Sequence, residues 1–460
     1  MVQTSASFRR DAQDVDGSIS LSEIISALSY ALDLTEGAIH GHALRSCLLG
    51  MRIAHDARLP AEQRSGLYFA LLLKDVGGRS MVSRIDESNG HAGETNHAKL
   101  KLLWKNVLPA GLVHPKNERD RIGLRYERGA AIVTKLGMGP FAAETVRSMD
   151  ERWDGGGYPD SIKGEQIPLL ARIGAVAQHL DIFSTSNGTQ NAIKTLQERS
   201  GTWFDPHFVR IALSLDRRGT LWKSCSPGDP EEDTRQAVLD LDAGAQHKLE
   251  PGQVDRICEA FADVVDAKSP FTFRHSIGVT NAAFGIAETM GLPADRVQLV
   301  RRAALLHDIG KLSVSNAILD KRAVLSAAEW DAVRQHPRIT RLILERVRAF
   351  REMAIIAGEH HEKLDGSGYP DKLTARDLSL ESRIIAVADV FGALSEDRPY
   401  RAGINLQDTF SIMKKFAPHQ LDGDCFDALV ARVSSGHDVG LSTATHAPAS
   451  SLGYALGPAV

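Results

Sequence analysis

Four residues that are strong ligands for divalent metal ions occur as two adjacent pairs in the second half of the chain. His307-Asp308 opens the motif HDIGK, and His360-His361 lies within EHHEKLDGSGYP. Imidazole and carboxylate groups suit first-row metals such as Fe, Mn or Zn, and no thiolate belongs to the set, which argues against a structural zinc site. The pattern therefore indicates a two-metal hydrolytic centre. Its seven candidate ligands are His275, His307, Asp308, His336, His360, His361 and Asp389.

Phosphodiester hydrolysis is the chemistry that such a centre suits. The reaction needs a nucleophile at neutral pH and neutralisation of charge on the leaving oxygen. Two cations about 3.5–4 Å apart supply both, by lowering the pKa of a bridging water and by clamping the phosphate oxygens. Lys311, at the end of HDIGK, adds a point charge for an anionic substrate. Gly366 and Gly368 permit a tight loop near the metals, where a side chain would obstruct the ligand.

Composition limits the class of protein that carries this centre. A chain of 460 residues with 43% hydrophobic and 24% charged residues predicts a soluble globular protein of two or three domains. The net charge of −4 gives no electrostatic reason to expect DNA or RNA binding. Four scattered cysteines without a CxxC pair fit a reducing cytoplasm, and neither a signal peptide nor a membrane span is recognisable. We expect a cytoplasmic protein.

The chain contains an internal repeat. Residues 150–178 align without a gap with residues 361–389, at an offset of 211 residues. The segment LLLKDVGG aligns with ALLHDIGK at an offset of 233, which also relates His42 to His275. The first copy therefore carries an insert of 22 residues between Gly78 and Arg125, whose polar, Gly/Asn-rich sequence predicts a surface loop.

Helical periodicity dominates both copies. Leu21, Ile24, Ile25 and Leu28 follow the i, i+3, i+4, i+7 pattern, and long runs of alternating β-branched residues are absent. We therefore predict an all-α fold. The expected boundaries are a flexible N-terminus at 1–20, a first domain at 21–222, a linker with a short helix at 223–252, a second domain at 253–433 and a flexible tail at 434–460.

From about Val254 to Val430, the second copy resembles the HD-GYP family. This family is a branch of the HD-superfamily metal-dependent phosphohydrolases that hydrolyse cyclic dinucleotides, chiefly cyclic di-GMP. The resemblance rests on FTFRHS, ALLHDIGK, EWDAVRQHP, EHHEKLDGSGYP, ESRIIAVADVF and DRPYR, spaced as in the family. It implies two tandem helical HD-GYP bundles that convert a cyclic dinucleotide to a linear 5′-phosphorylated dinucleotide, with mononucleotide as a further product.

The resemblance also implies roles for individual residues. One metal would be held by His275, His307 and Asp389, the other by His336, His360 and His361, with Asp308 bridging both. Asp308 and Lys311 would be catalytic, with Lys311 contacting the scissile phosphate or the attacking hydroxide. Substrate guanines or the distal phosphate would contact Tyr369, Arg398 and Arg401. The two divalent ions would be Fe or Mn first, with Zn or Ni as alternatives.

The second copy departs from the family pattern at four places. Phe271 stands where members with three metals carry a Glu, so two metals are expected. Ser315 replaces a usual Pro, and LDG at 421–423 replaces the usual FDP. Gly392 replaces the usual Asp of VADVFDAL, a change near the substrate that bears on efficiency or specificity. None of the four removes a predicted ligand.

The first copy resembles the same family with the metal site dismantled. The residues at five ligand positions differ: Lys74, Arg125, Met149, Asp150 and Gln178. His42 and Asp75 keep the ligand type, and Gly78 replaces the lysine. We expect this copy to fold as an HD-GYP domain without a catalytic metal, because Lys74 places a cation where a metal would sit.

Two alternatives to a phosphodiesterase remain open from the sequence. The protein could bind a cyclic dinucleotide or a diguanylate cyclase without turnover, as a receptor or interaction module, or it could be a nucleotide monophosphatase of the wider HD superfamily. We expect the first copy to be a regulatory or structural partner that docks pseudo-symmetrically on the second. Further candidate partners are other signalling proteins and a second copy of the chain. DNA, RNA and membranes are not expected.

Overall fold

Regular structure in the part of the chain that can be described is entirely helical. The computed structural model describes residues 20–34, 40–78, 118–241, 249, 251–266, 275–321, 323–396 and 403–436. Within these residues there are two isolated β-bridges, Ser200 with Phe204 and Asp365 with Thr374, and no longer strand. The predicted all-α fold is therefore confirmed. The N-terminal segment 1–19, the insert at 79–117, and the tail from 437 lie outside the described residues.

Nine α-helices lie before the second copy in the described residues. They are α1 (Leu21–Asp33), α2 (His42–Asp56), α3 (Ala61–Leu72), α4 (Glu118–Lys135), α5 (Gly139–Ser148), α6 (Leu169–Asn187), α7 (Thr189–Glu198), α8 (Pro206–Arg217) and α9 (Glu231–Leu241). The last of these lies in the predicted linker and packs on α2, with Val238 fully buried. This segment therefore contributes to the core of the first half.

Ten further α-helices form the second half as described. They are α10 (Pro251–Asp266), α11 (His275–Thr289), α12 (Ala294–Leu306), α13 (Asn316–Leu319), α14 (Ala327–Val333), α15 (His336–Leu344), α16 (Arg351–Gly358), α17 (Leu380–Ser395), α18 (Leu406–Phe416) and α19 (Gly423–Ser434). A 3-10 turn at Ile309–Ser313 follows α12. Local signals fix several starts: Ser326 and Glu329 form a capping box at α14, and Asp422 caps α19.

Equivalent helices carry the equivalent site positions in the two halves. Helix α2 packs along α6 in the first half, and α11 packs along α17 in the second. In both pairs the first residue of one helix, His42 or His275, contacts an aspartate of the other, although the two aspartates, Asp181 and Asp389, are not at aligned positions. The repeat seen in the sequence is therefore also a repeat of packing.

The two halves contact each other through their first helices. Helix α1 packs on α2 and α3 of its own half and on α15 and the 309–313 turn of the other, and α10 contacts α4 of the first half. Because α1 lies between two bundles, it is buried on almost every side, with Ile24, Ile25 and Leu28 fully buried. The predicted pseudo-symmetric docking agrees with these contacts.

Polar contacts also join the two halves: Tyr30 and α9 of the first half contact Arg346, which lies just after α15 of the second. The guanidinium of Arg346 lies 3.8 Å from the centre of the Tyr30 ring and pairs with Glu231. Arg235 donates from Nη2 to the carbonyl oxygen of Arg346 at 2.8 Å. Arg346 therefore connects α1 and α9 to the segment that follows α15.

None of the helices in the described ranges is long and apolar enough to cross a membrane.

Candidate metal centre

Helix ends bring the predicted ligands of the second half together. His275 and His336 are the first residues of α11 and α15, His307 and Asp308 follow the end of α12, and His360 lies just beyond α16. A close backbone approach holds the HDIGK turn against α15. A Cβ at Gly310 would lie 2.0 Å from the carbonyl oxygen of His336, so only glycine fits there.

The seven predicted ligands converge on Asp308 and Asp389. Two groups of three have ligand atoms within 4.8 Å of one another: His275, His307 and Asp308, and His336, His360 and His361. Asp308 belongs to the first group and also faces the second. Its Oδ2 lies 3.3 Å from Nε2 of His307, and its Oδ1 lies 3.3 Å from Nε2 of His336. This position suits a carboxylate that bridges two cations.

Asp389 on α17 also faces both groups. Its Oδ1 lies 3.2 Å from Nε2 of His275, and its Oδ2 lies 3.6 Å from Nδ1 of His361. The sequence assigned this residue to one metal only, with His275 and His307. That assignment stays a prediction, because the carboxylate is within reach of either group.

Backbone carbonyls orient three of the imidazoles toward the centre. Nδ1 of His307, His336 and His360 lies 2.6, 2.7 and 2.7 Å from the carbonyl oxygens of Ala304, Val333 and Ala357, respectively. A carbonyl only accepts hydrogen bonds, so each Nδ1 carries the proton and each Nε2 offers its lone pair. Such outer contacts fix the tautomer of metal-binding histidines.

Buried atoms at the centre lack partners that a cation would supply. Within the described ranges, Nε2 of His307 and Oδ1 of Asp308 are buried and make no hydrogen bond. Unsatisfied buried polar atoms are rare in proteins, and each needs an explanation such as an ion. Two lone-pair donors at one buried centre therefore fit divalent metal ions.

The protonation states favour metal binding. Burial and the neighbouring imidazoles hold the pKa of His360 well below its ordinary value, and burial lowers the pKa of His361 to about 3. Burial alone would raise the pKa of Asp308, but His307 and Lys311 beside it hold that pKa well below its usual range. His275, His361 and His307 likewise outweigh burial and hold the pKa of Asp389 well below its usual range. Neutral His360 and His361 beside two ionised carboxylates suit first-row divalent metals.

Lys311 lies directly at the centre. Its Nζ is 2.5 Å from Oδ2 of Asp308, and its side chain is largely buried on the 309–313 turn. The turn therefore presents a cation beside the carboxylate where a phosphate would arrive. The catalytic role of Lys311 stays a prediction.

Tyr369 lies beside the ligands, in a loop that both halves share. Its ring centre is 4.8 Å from that of His361, and burial, with Asp389 and Asp308, raises the pKa of its phenol, which stays neutral. The same loop architecture occurs in the first half: Glu151 and Glu362 each accept a hydrogen bond at 2.6 Å, from the amides of Asp160 and Asp371. The GYP loop thus has a structural role in both halves, and any substrate contact of Tyr369 is additional. Arg398, Arg401 and Phe271 lie outside the described residues.

The equivalent site of the first half is filled by its own side chains. Residues at five aligned ligand positions line one cavity of about 20 Å³: Lys74, Arg125, Met149, Asp150 and Gln178. This volume holds roughly one water molecule. Lys74 pairs with Asp75, while Tyr126 and Gln178 donate to Asp150 at 2.5 and 2.9 Å. Side-chain contacts therefore fill the position of the first half that corresponds to the ligand centre of the second.

Comparisons with known proteins agree with this geometry. The HD domain family matches residues 112–208 and 259–425. A 3′3′-cGAMP-specific phosphodiesterase 3 of Vibrio cholerae is 38% identical over 435 residues, which cover 89% of this chain and 94% of the relative. A crystal structure of the cyclic GMP-AMP specific phosphodiesterase V-cGAP3 of V. cholerae covers 91% of this chain and 98% of its own, with 34% identity and a TM-score of 0.64.

The chain belongs to the HD-GYP family, in the tandem form. Other relatives match a smaller part of it. A cyclic di-GMP phosphodiesterase of Thermotoga maritima is 39% identical over 141 residues, which cover 30% of this chain and 38% of the relative. Similarity over nearly the whole length thus includes both HD-GYP copies, whereas the match to the Thermotoga protein includes less than one half of the chain.

Two residues at this HD-GYP centre escaped the sequence analysis. Glu396 places Oε2 2.8 Å from Nδ1 of His275, and the guanidinium of Arg334 lies 5.8 Å from the centre of the Tyr369 ring. The replacement of the usual Asp by Gly392 was a signal that the surroundings of His275 had changed. No sequence signal distinguishes Arg334 from other arginines of the second half.

Proposed function

We propose that this HD-GYP protein is a metal-dependent phosphodiesterase that hydrolyses a cyclic dinucleotide in its second half. The observation that carries the proposal is the convergence of five imidazoles and two carboxylates on one buried centre, with Lys311 at its edge. Packing alone gives no reason to bury so many ligand atoms with their lone pairs directed at one another.

The residues of the second half can hold two divalent ions, one at each group of three ligands. Such a pair lowers the pKa of a bound water and neutralises charge on the leaving oxygen of a phosphodiester. Imidazole with carboxylate suits Fe or Mn, and also Zn or Ni. The assignment of the seven ligands to individual ions, with Asp308 as the bridge, follows the family pattern and is part of this proposal.

Side chains around the centre provide the remaining functions. Lys311 supplies a compact positive charge for the phosphate, which raises the local concentration of an anionic substrate and opposes charge that develops on its oxygens. Arg334 and Tyr369 form a cation and an aromatic face next to His361, a pairing that can bind a phosphate or stack on a guanine. We include Arg334 with Tyr369, Arg398 and Arg401 as candidate substrate contacts.

Two substrates are candidates, and a specific observation favours each. Cyclic di-GMP is the substrate to which the resemblance of the second half points, and relatives with that activity match about a third of the chain. The relative that matches nearly the whole chain is specific for 3′,3′-cyclic GMP-AMP. Because a relative with this specificity is similar over both copies, we propose 3′,3′-cyclic GMP-AMP as the second candidate and test both.

A turnover assay combined with metal analysis tests the proposal. Metal-loaded protein is incubated with an excess of each dinucleotide, the products are separated by chromatography, and the His307→Ala/Asp308→Ala variant is the control. We expect many turnovers to a linear dinucleotide by the wild type and none by the variant. Stoichiometric binding without turnover would favour a receptor, and hydrolysis of mononucleotides alone would favour a monophosphatase.

We also propose that the first half supports or gates the second. Helix α1 packs on the 309–313 turn, which carries Lys311, and on α15, which begins with His336. Movement of α1 would therefore reach two residues of the centre directly. Residues 253–460 alone should be less stable and less active than the full chain. Equal stability and activity of the two would rule this role out.

A further inference from the structure

In the first half, a buried aspartate holds the histidine that corresponds to His275. Oδ2 of Asp181 lies 2.6 Å from Nδ1 of His42, and Asp181 has no exposed side-chain surface. Arg45 donates from Nε to Oδ1 of the same carboxylate at 2.5 Å and from Nη2 to Oδ2 at 3.1 Å. Arg45 and Asp181 thus form a charge pair behind the imidazole.

Three equivalent positions differ together in the second half. The repeat offsets relate Arg45 to Gly278, Asp181 to Gly392 and exposed Thr185 to Glu396. The second half therefore lacks both the aspartate and its arginine, and it has a glutamate four residues later, directly after the end of α17. The Nδ1 atom of His275 lies 2.8 Å from Oε2 of this glutamate.

The two glycines make room for the new partner. A Cβ at Gly278 would lie 2.6 Å from Oε1 of Glu396, so any side chain there would displace the carboxylate. A Cβ at Gly392 would lie 3.4 Å from Nδ1 and Cε1 of His275, so an aspartate there would reach the same ring. Glu396 directly follows α17, and its amide donates to the carbonyl oxygen of Gly392 at 3.1 Å, so the two positions are one turn apart. The three differences therefore belong to one change, in which the carboxylate behind the histidine is at position 396 instead of position 392.

We infer that Glu396 is the positioning residue for the metal ligand His275. It has the role that Asp181, at the position aligned with Gly392, has for His42 in the first half. This inference rests on the proposed metal centre. A carboxylate only accepts, so Nδ1 of His275 carries the proton, and Nε2 is directed at Asp389 and Asp308, 3.2 and 3.8 Å away. A carboxylate partner also raises the basicity of a ligating imidazole.

The rearrangement changes charge as well as position. The carboxylate behind His42 is paired with Arg45, whereas glycine replaces that arginine behind His275. His307, His336 and His360 have neutral carbonyl partners at Nδ1, whereas His275 has a carboxylate there, so among these four the ligand strength of His275 depends on a charged group. The metal ion nearest His275 should therefore be the one that is lost when Glu396 is removed.

Metal affinity measured without substrate tests the inference. The full chain is loaded with Mn²⁺, and its affinity is measured by competition with a chelator for Glu396→Thr, Glu396→Gln and the wild type. Removal of a carboxylate behind a ligating histidine lowers metal affinity by about 10- to 100-fold, so Glu396→Thr should lose about 100-fold and Glu396→Gln about 10-fold at one of two sites. Unchanged affinity in both variants would overturn the inference.

A rescue variant separates positioning from general damage. Gly392→Asp/Glu396→Thr introduces the aspartate and the threonine of the first half at their aligned positions and should recover at least about tenfold of the affinity lost in Glu396→Thr. Equal affinity in these two variants would also overturn the inference. Glu352→Gln, which removes an exposed carboxylate paired with Arg296, is the matched control. The experiment contains no dinucleotide, so the effect of Glu396 on metal affinity can be measured even if the protein does not hydrolyse cyclic dinucleotides.

Discussion

The two halves of the chain surround their carboxylates with different partners on the same helical scaffold. In the first half, Asp75 pairs with Lys74, and Asp181 pairs with Arg45. In the second half, Asp308 pairs with Lys311, and both Asp308 and Asp389 also face imidazole nitrogens. Two cations thus pair with two carboxylates in the first half, whereas one lysine and five imidazoles surround the two carboxylates of the second half, which leaves charge that metal ions can neutralise.

This comparison shows that folding and chemistry make separate demands on the repeat. The GYP loop keeps the same hydrogen bonds in both halves, although the ligands differ at five positions. A scaffold can therefore persist without its metals, provided that its buried carboxylates find other partners. Burial of an unpaired carboxylate would otherwise cost several kcal/mol.

The sharpest test of the comparison is removal of the central carboxylate from each half in turn. Asp308→Ala should lose at least one metal ion and reduce turnover by more than about 1,000-fold, or about 4 kcal/mol of transition-state stabilisation, because two cations would then repel each other without a bridge. Asp75→Ala is the matched change in the first half and should leave the metal content unchanged. Elemental analysis and turnover of the cyclic dinucleotide are the measurements. If Asp75→Ala lost one metal ion per chain, the proposal that only the second half binds metal would be wrong.

Removal of Lys311 should separate catalysis from metal binding. Gly78 occupies the equivalent position in the first half, so the lysine is not needed for the fold. Lys311→Met should keep both metals and reduce kcat about 100-fold, since loss of one electrostatic contact at a reacting centre typically costs that much. Lys321→Met, which breaks a surface pair with Glu329, is the control. Wild-type kcat in Lys311→Met would remove this residue from the proposed mechanism.

Arg346 tests whether contact between the halves stabilises the molecule. Arg346→Ala removes the contact with Tyr30 and the pair with Glu231, and it should lower the free energy of unfolding by about 2 kcal/mol. Arg348→Ala, at an exposed position nearby, should change it by less than about 0.5 kcal/mol. Denaturant unfolding measures both. Equal effects of the two variants would mean that the contact contributes nothing specific.

The last test concerns pH in the first half, and its effect over one pH unit is the smallest of the four. Burial raises the pKa of Asp33 from 3.8 to about 8, with Lys74 opposing and Asp75 adding to the shift. The folded state therefore keeps a proton that the unfolded state releases. The wild type has its full stability below about pH 4 and loses stability as the pH rises toward about 8. Asp33→Asn should gain stability relative to the wild type over that range, by at most about 1.4 kcal/mol for each pH unit.

Unfolding measured at several pH values checks this prediction. Asp56→Asn, which removes an exposed carboxylate from the same half, is the matched control. Parallel pH profiles for the wild type and Asp33→Asn would contradict the prediction.

Much of the candidate site was predictable because its signals are local. Adjacent ligand pairs, a gap-free repeat and the type of each side chain can all be read along the chain, and the structure brings all seven predicted ligands of the second half to one centre. The five substituted positions of the first half likewise line one cavity. Helical periodicity predicted the all-α fold for the same reason, since each helix needs a local apolar stripe.

The partner of each ligand was decided by tertiary packing. The sequence by itself determined that a glycine replaces an aspartate at position 392, but only the packing of α11 on α17 brings Glu396 to His275. The position of α1 against the turn that carries Lys311 likewise depends on how two bundles dock. The physical reason is that ligand type and helix formation are properties of short segments. Hydrogen-bond partners in a buried centre depend on atoms that approach within about 3 Å from distant parts of the chain.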